Sequence, residues 1–484
     1  MGSSQFVKKT VSSVMWNYGA FALGKLLVFM TTVVLARYLS PEDFGLMAMA
    51  FMVINYLKRV QSFGVDDALI YHQNRSRRAL DTAFSINLLF GGLLTMLTFY
   101  SAPVISGFFN SPGLIPIVQV LSAWFCITNL GSAHDAVLRR DMRFKTAFIP
   151  QTCQRFVKGG LSIGLAVAGW GVWSLVWGQM AGVTCATLIY WIMGGWLPRF
   201  RFDSQILIRI LSYGSQTVFL KFLQGVFKNI DYLIIGRCLG ATDLGFYTIA
   251  FRLPDILIGG IQSAVMPVLF PAFSKIQEDT VALGHAFLTA FRFITLVTLP
   301  MGAGLMVIAP DFVTVFYTQR WAAAVPIMQA LSIYIIATSF DSLAEIVYKS
   351  TGRLRPANII GIIKATMAVA VLWTAAEYGI FAVAASQVGI VLVANFLQLI
   401  IISRLIHIRA ADILACIKPS LTGMLVMLPG LFWIERLLDV FAPWVRLVAL
   451  SGLGVILYLG TLYVFYRPLV RQIMALFVNR RESQ

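Results

Sequence analysis

ARYLSPEDFG, residues 36–45, returns two hundred residues later as GRCLGATDLG, residues 236–245, with Arg37/Arg237, Leu39/Leu239, Asp43/Asp243 and Gly45/Gly245 in register. Further along, PIVQVLS at Pro116–Ser122 is matched by PIMQALS at Pro326–Ser332, and the same offset carries Asp135 onto Glu345, Arg139 onto Lys349 and Arg143 onto Arg353. The turn Gly171-Val172-Trp173 has its partner in Gly379-Ile380-Phe381. A chain that repeats itself in order over this distance was built by duplication, and its fold is that of two related halves.

What each half contains follows from hydropathy. Hydrophobic residues make up 58% of the chain and charged residues only 12%, so water is not its main solvent. Apolar runs long enough to cross a bilayer, about 20 residues each, are expected at 12–36, 43–64, 80–100, 113–134, 147–169, 172–196, 212–238, 243–267, 284–308, 324–347, 356–376, 379–404, 415–434 and 444–466. That is an all-α, polytopic membrane protein of about fourteen transmembrane helices. Spans one to six then correspond to spans seven to twelve, and the last two are additional. The expected division is 1–210, 211–410 and 411–484, the last comprising two helices and a basic tail. Six spans separate corresponding positions, so both halves enter the membrane in the same direction. A parallel repeat of this kind predicts two packed six-helix lobes with a cavity between them that opens alternately to either side.

The net charge of +17 would suggest nucleic acid in a soluble protein, but here the charges sort by side. Lys8, Lys9, Lys58, Arg59, Arg75, Arg77, Arg78, Arg139, Arg140, Arg143, Lys145, Arg199, Arg201, Arg209, Lys275, Lys349, Arg353, Arg355, Arg404, Arg409, Lys418 and the tail Arg467, Arg471, Arg480 and Arg481 share one face. They far outnumber Arg37, Arg237, Arg320, Arg436 and Arg446 on the other, which puts both termini in the cytoplasm. Trp170, Trp173, Trp196, Trp433 and Trp444 fall near span ends, as interfacial anchors do. The five cysteines are scattered singly with no metal-ligand spacing, and the four histidines form no cluster, so no metal, cofactor or catalytic constellation is expected.

The runs LARYLSPEDFGLMAM, SFGVDDALIYHQ, DYLIIGRCLGATDLGFYTIAFRLPD and MPVLFPAFSKIQED carry a resemblance over nearly the whole chain. It is to the Wzx-type polysaccharide flippases of the multidrug, oligosaccharidyl-lipid and polysaccharide (MOP) superfamily, of the colanic-acid and succinoglycan exporter type. The resemblance implies that the central cavity is V-shaped, and it implies translocation of an undecaprenyl-diphosphate-linked oligosaccharide from the cytoplasmic to the periplasmic leaflet, for exopolysaccharide, capsule or O-antigen assembly. It also implies membrane lipids, a polysaccharide polymerase and export machinery as partners, and cationic cavity residues on spans one, seven and eight.

Ionisable groups at bilayer depth are costly and therefore mark function. The cationic candidates for a substrate cavity are Lys25, Lys158, Lys221, Lys228, Arg252, Arg292 and Lys364. Lys221, Gly225 and Lys228 fall at i, i+4 and i+7 on one helix face, and Pro254 between Arg252 and Asp255 would bend span eight. A diphosphate would pair with arginine as a fork and with lysine as a point charge. The alternative is that Lys228 pairs with Asp231, and Arg252 with Asp255, as interhelical ties. Gln151, Gln154, Arg155 and Lys158 make a polar stripe on span five, in which snorkelling accounts for Arg155. Asp231, Asp255, Asp341 and Glu345 are the candidates for a coupling ion, Na+ or a proton. Rival functions are an ion-coupled drug or metabolite antiporter of the same superfamily, a membrane polysaccharide polymerase or ligase, and a passive scramblase. Internal cations argue against the first, because cationic drugs prefer acidic and aromatic cavities; short outward loops argue against the second.

Overall fold

The computed structural model describes residues 24–61, 77–140, 144–194, 197–200, 203 and 229–471. Their helices are α1 (24–38), α2 (Pro41–Gln61), α3 (Arg77–Phe109), α4 (Leu114–Arg140), α5 (Phe144–Val167), α6 (Val172–Gly194), α7 (Ile230–Cys238) and α8 (Gly240–Pro254). A π-helical turn, Asp255–Gly259, joins α8 to α9 (Gly260–Ser274). There follow α10 (Thr280–Phe312), α11 (Ala324–Ser350), α12 (Leu354–Ala376), α13 (Ile380–Leu405), α14 (Ala410–Leu437) and α15 (Pro443–Phe465). No strand occurs among the described residues.

Local chemistry explains where the helices start. Pro41 opens α2, and Ser40 caps it: the Asp43 carboxylate accepts from the Ser40 amide at 2.9 Å while the Asp43 amide donates to the Ser40 hydroxyl at 3.2 Å. Asp279 caps α10 by accepting from the amides of Val281 and Ala282. Gly171 and Gly379, matched by the repeat, both take left-handed backbone, φ 52° and 93°, ahead of α6 and α13. Pro254, expected to bend span eight, is followed at once by the π-helical turn, the kind of irregularity that a proline-interrupted ladder produces.

Ten stretches among the described residues are long and apolar enough to cross a membrane. They fall on the expected spans three, four, six and eight to fourteen. Two other helices of spanning length, α2 and α5, carry more charge: Glu42, Asp43, Lys58 and Arg59 on one, Lys145, Arg155 and Lys158 on the other. Large apolar side chains such as Ile192, Ile362, Leu425, Val448 and Ile456 are exposed, as they must be where the solvent is lipid. The chain is a multi-pass, all-helical membrane protein.

It divides into two compact units, Met1–Thr248 and Ile249–Gln484. In the first, α3 lies on α4, α5 on α6, and α2 crosses α4 and α6. The two copies of the repeat motif meet here, on the α2 and α8 starts. A methyl group added to Gly45 would collide with the Ala241 carbonyl, and one added to Gly245 would collide with the Pro41 carbonyl. The contact is reciprocal, each glycine facing the repeat-mate of the residue that faces its own partner. Arg237 anchors the same region by donating to the Phe108 carbonyl at 2.6 Å, at the C-terminus of α3 where unpaired carbonyls favour a cation.

In the second unit, Phe287 stacks on Phe291 with Phe340 edge-on to both, in a core closed by Leu343, Val347, Ile402 and Cys416. A second core joins α10 to α14 and α15 through Leu296, Val307, Met427, Leu431, Leu450 and Tyr458. The Tyr458 hydroxyl donates to the Leu296 carbonyl at 2.8 Å. Arg446 of α15 donates to the Asp311 carboxylate of α10, whose side chain is 3% exposed, and to Asp439 at 2.8 Å.

Candidate functional site: a cationic column in the first unit

α1 and α5 run side by side in the same direction, since Gly24 faces the Arg155 guanidinium and, further along both, Gly159 faces the Thr31 hydroxyl. Lys25, half-buried on α1, therefore lies at the level of Arg155, and Lys158 lies one helical turn beyond, about 4.5 Å along the axis. α6 fixes the backbone beneath Lys158. Gly178 and Gly182, four residues apart, let the carbonyls of Lys158 and Gln154 approach, each 2.8 Å from where a β-carbon would stand.

With its backbone held from behind, Lys158 extends to α2, where its ammonium lies 5.4 Å from the centre of the Phe51 ring. Phe51 meets Trp124 of α4 edge to face at 5.4 Å, and Lys58 of α2 lies 5.4 Å over the Trp124 ring. Phe51 stands at the midpoint of α2 and Lys58 three residues from its end, so seven residues, about 10 Å of helix, separate the two levels. Lys58, Arg155, Lys25 and Lys158 thus form one column rising from a helix end to mid-helix. From sequence Lys58 reads as a flanking charge and neither aromatic stands out; the seven-residue spacing of Phe51 and Lys58 is the only local signal that both share a face of α2.

The other expected cavity residues have different surroundings. Lys221 and Lys228 lie outside the described residues. Arg252, half-buried on α8, is near enough to act on the Tyr317 hydroxyl, which is buried without a hydrogen-bond partner among the described residues. Arg292 of α10 reaches the Cys416 sulfur at 3.8 Å and leaves its Nε buried and unsatisfied. Lys364 and Asp341, expected in separate roles, form one ion pair at 2.6 Å, and Gln398 donates to the second Asp341 oxygen. Their helices bring them together from positions that share no sequence periodicity.

Among the other carboxylates, Glu345 pairs with Lys349 at 2.6 Å on an exposed stretch of α11, which gives it solvent as well as a cation. Asp255 borders the π-helical turn, its Oδ1 2.8 Å from where a β-carbon on Gly259 would stand. Asp231 is buried on α7 and accepts from the Tyr247 hydroxyl at 2.7 Å.

The chain matches the family described as polysaccharide biosynthesis protein over residues 34–326, more than half its length. It is similar to the teichuronic acid biosynthesis protein TuaB of Bacillus subtilis, 29% identical over 279 residues, 57% of each chain. It is also similar to the lipopolysaccharide biosynthesis protein WzxC of Escherichia coli, 25% identical over 334 residues and 67% of each chain. The succinoglycan biosynthesis transport protein ExoT of Rhizobium meliloti is 25% identical over 321 residues, 66% of this chain and 64% of that one. The matched region thus spans between somewhat over half and two thirds of these curated relatives.

Among solved structures, the lipid II flippase MurJ in an inward closed conformation superimposes with a TM-score of 0.76 at 15% identity, covering 93% of this chain and 98% of that one. An inward-facing multidrug resistance MATE transporter of the MOP superfamily gives 0.61 at 17% identity, covering 80% and 100%. These two likenesses are likenesses of fold, and it is the sequence match that carries descent: the chain belongs to the polysaccharide biosynthesis protein family.

Proposed function

We propose that this protein is a flippase that carries an undecaprenyl-diphosphate-linked oligosaccharide from the cytoplasmic to the periplasmic leaflet of a bacterial inner membrane, with both termini in the cytoplasm. The observation that carries the reading is the column of Lys58, Arg155, Lys25 and Lys158 inside the first unit. Cations at bilayer depth are costly unless something anionic or polar uses them, and a diphosphate head group is an anion that has to pass through that depth. Family membership and the biosynthetic names of the relatives support a polysaccharide precursor as cargo.

The protein acts as a transporter and not as an enzyme, handing complete repeat units to a polymerase and export machinery in the far leaflet. Its cargo binding alternates between sides by rearrangement of the two halves. For a coupling cation, Na+ or a proton, Asp231 and Asp255 are the candidates: Asp341 and Glu345 already hold lysines, whereas Asp231 is buried with a phenol as its donor and Asp255 opens the π-helical turn. Drug antiport is the weaker reading, since a column of cations repels cationic drugs.

Reconstitution tests this directly. Purified protein in vesicles is given a fluorescent undecaprenyl-diphosphate-linked oligosaccharide, and the fraction reaching the opposite leaflet is read with and without an imposed Na+ or proton gradient. The expected result is transfer that rises with one gradient and falls at least tenfold in the Lys25→Gln/Lys158→Gln variant with normal protein levels. Transfer unchanged in that variant would overturn the site, and transfer indifferent to any gradient would make the protein a scramblase.

A further inference from the structure

We infer that Lys58, Trp124, Phe51 and Lys158 form an entry subsite that takes the diphosphate at the cytoplasmic end of the column and passes it toward mid-membrane. The inference rests on the flippase reading and extends it to residues on α2, α4 and α5.

What holds each lysine decides what it can still bind. Lys364 in the second unit is held by a carboxylate, so that its charge is already cancelled. Lys58 is held by an aromatic face: it is exposed, lies over Trp124, and makes no ion pair among the described residues. A cation–π contact keeps the positive charge available and is a weak tie at an exposed site. Charge-assisted hydrogen bonds from a lysine ammonium to phosphate oxygens are stronger. A diphosphate arriving at Lys58 therefore draws the ammonium off the ring with little loss.

The geometry then supplies the next step. Trp124 is 6% exposed and contacts Phe51 edge-on, so the two rings are one rigid wall between α2 and α4. That wall holds Lys58 at one level and Lys158 at the other, about 10 Å apart along α2. The diphosphate passes from the first lysine to the second along this aromatic wall, with Arg155, at the level of Lys25, one helical turn short of Lys158.

Trp124 makes the test direct, because its emission reports whether Lys58 lies over it. The full-length protein in lipid nanodiscs is titrated with undecaprenyl diphosphate and, separately, with undecaprenol. The signal read is the emission difference between wild type and Trp124→Phe. The expected outcome is a Trp124-dependent change with the diphosphate and none with the alcohol, lost in Lys58→Gln and retained in Lys58→Arg. Apparent affinity should fall about tenfold in Lys158→Gln.

Elution of each variant as a monodisperse species separates binding loss from misfolding. Diphosphate binding by wild type with no Trp124-dependent change, or at unaltered affinity in both lysine variants, would overturn the subsite and leave the flippase reading standing. Failure of wild type to bind the diphosphate at all would overturn both.

Discussion

Asp311 shows what a charge needs in order to survive inside this protein. Its side chain is 3% exposed, and Arg446 comes from another helix to meet it. Removing one partner of a buried pair leaves the other uncompensated, which costs about 3–5 kcal/mol. Arg446→Ala should therefore lower the unfolding midpoint in detergent markedly, and Asp311→Leu/Arg446→Met should recover most of the loss. The Asp341–Lys364 pair, with side chains 24% and 29% exposed, keeps some access to a polar medium, and Lys364→Gln should cost less, about 1 kcal/mol, in the same melt.

Residues of this kind also mark the limit of what the sequence discloses. That Lys364 and Asp341 sit at depth is plain from the apolar runs around them. That they touch is not, because no periodicity links residues on neighbouring helices. Lys58 is harder still: three residues from the end of α2, it reads as an interfacial charge, and only the crossing of α2 over α4 sets it on Trp124. Arg155 reads as a snorkelling side chain, yet its guanidinium lies against Gly24.

Helices, by contrast, are legible in outline. Hydropathy locates the spans because each must satisfy its own backbone in lipid, and the Ser40–Asp43 cap and the glycine turns mark where α2, α6 and α13 begin. The register of Gly45 with Gly245 is visible too, but its purpose is not. In the fold both glycines are backbone-on-backbone contacts, where no side chain can swing aside. Gly45→Val and Gly245→Val should each destabilise the first unit by about 1–3 kcal/mol or more and shift the protein toward aggregate on size exclusion. Gly160→Val, on the open face of α5 with nothing within 4 Å, should leave elution unchanged.

For the molecule as a whole, charge bias and repeat agree on orientation. A C-terminal green fluorescent protein fusion should fluoresce and a C-terminal alkaline phosphatase fusion should be inactive in intact cells; the reverse pair of results would invert the proposed topology. Trp170, Trp433 and Trp444, exposed at helix ends, suit the two interfaces.

The Arg446–Asp311 tie has a consequence for biogenesis. The partners are 135 residues apart in the chain. Helices leave the ribosome in order, so Asp311 reaches its place at the end of α10 long before the arginine that neutralises it has been synthesised. Until α15 inserts, the second unit carries an unmatched carboxylate at the margin of its core, exposed to quality-control proteases. α15 is thus a checkpoint on α10: chains stopped after Leu437 should be degraded faster in pulse-chase than chains carried through α15, and Asp311→Asn should slow that degradation.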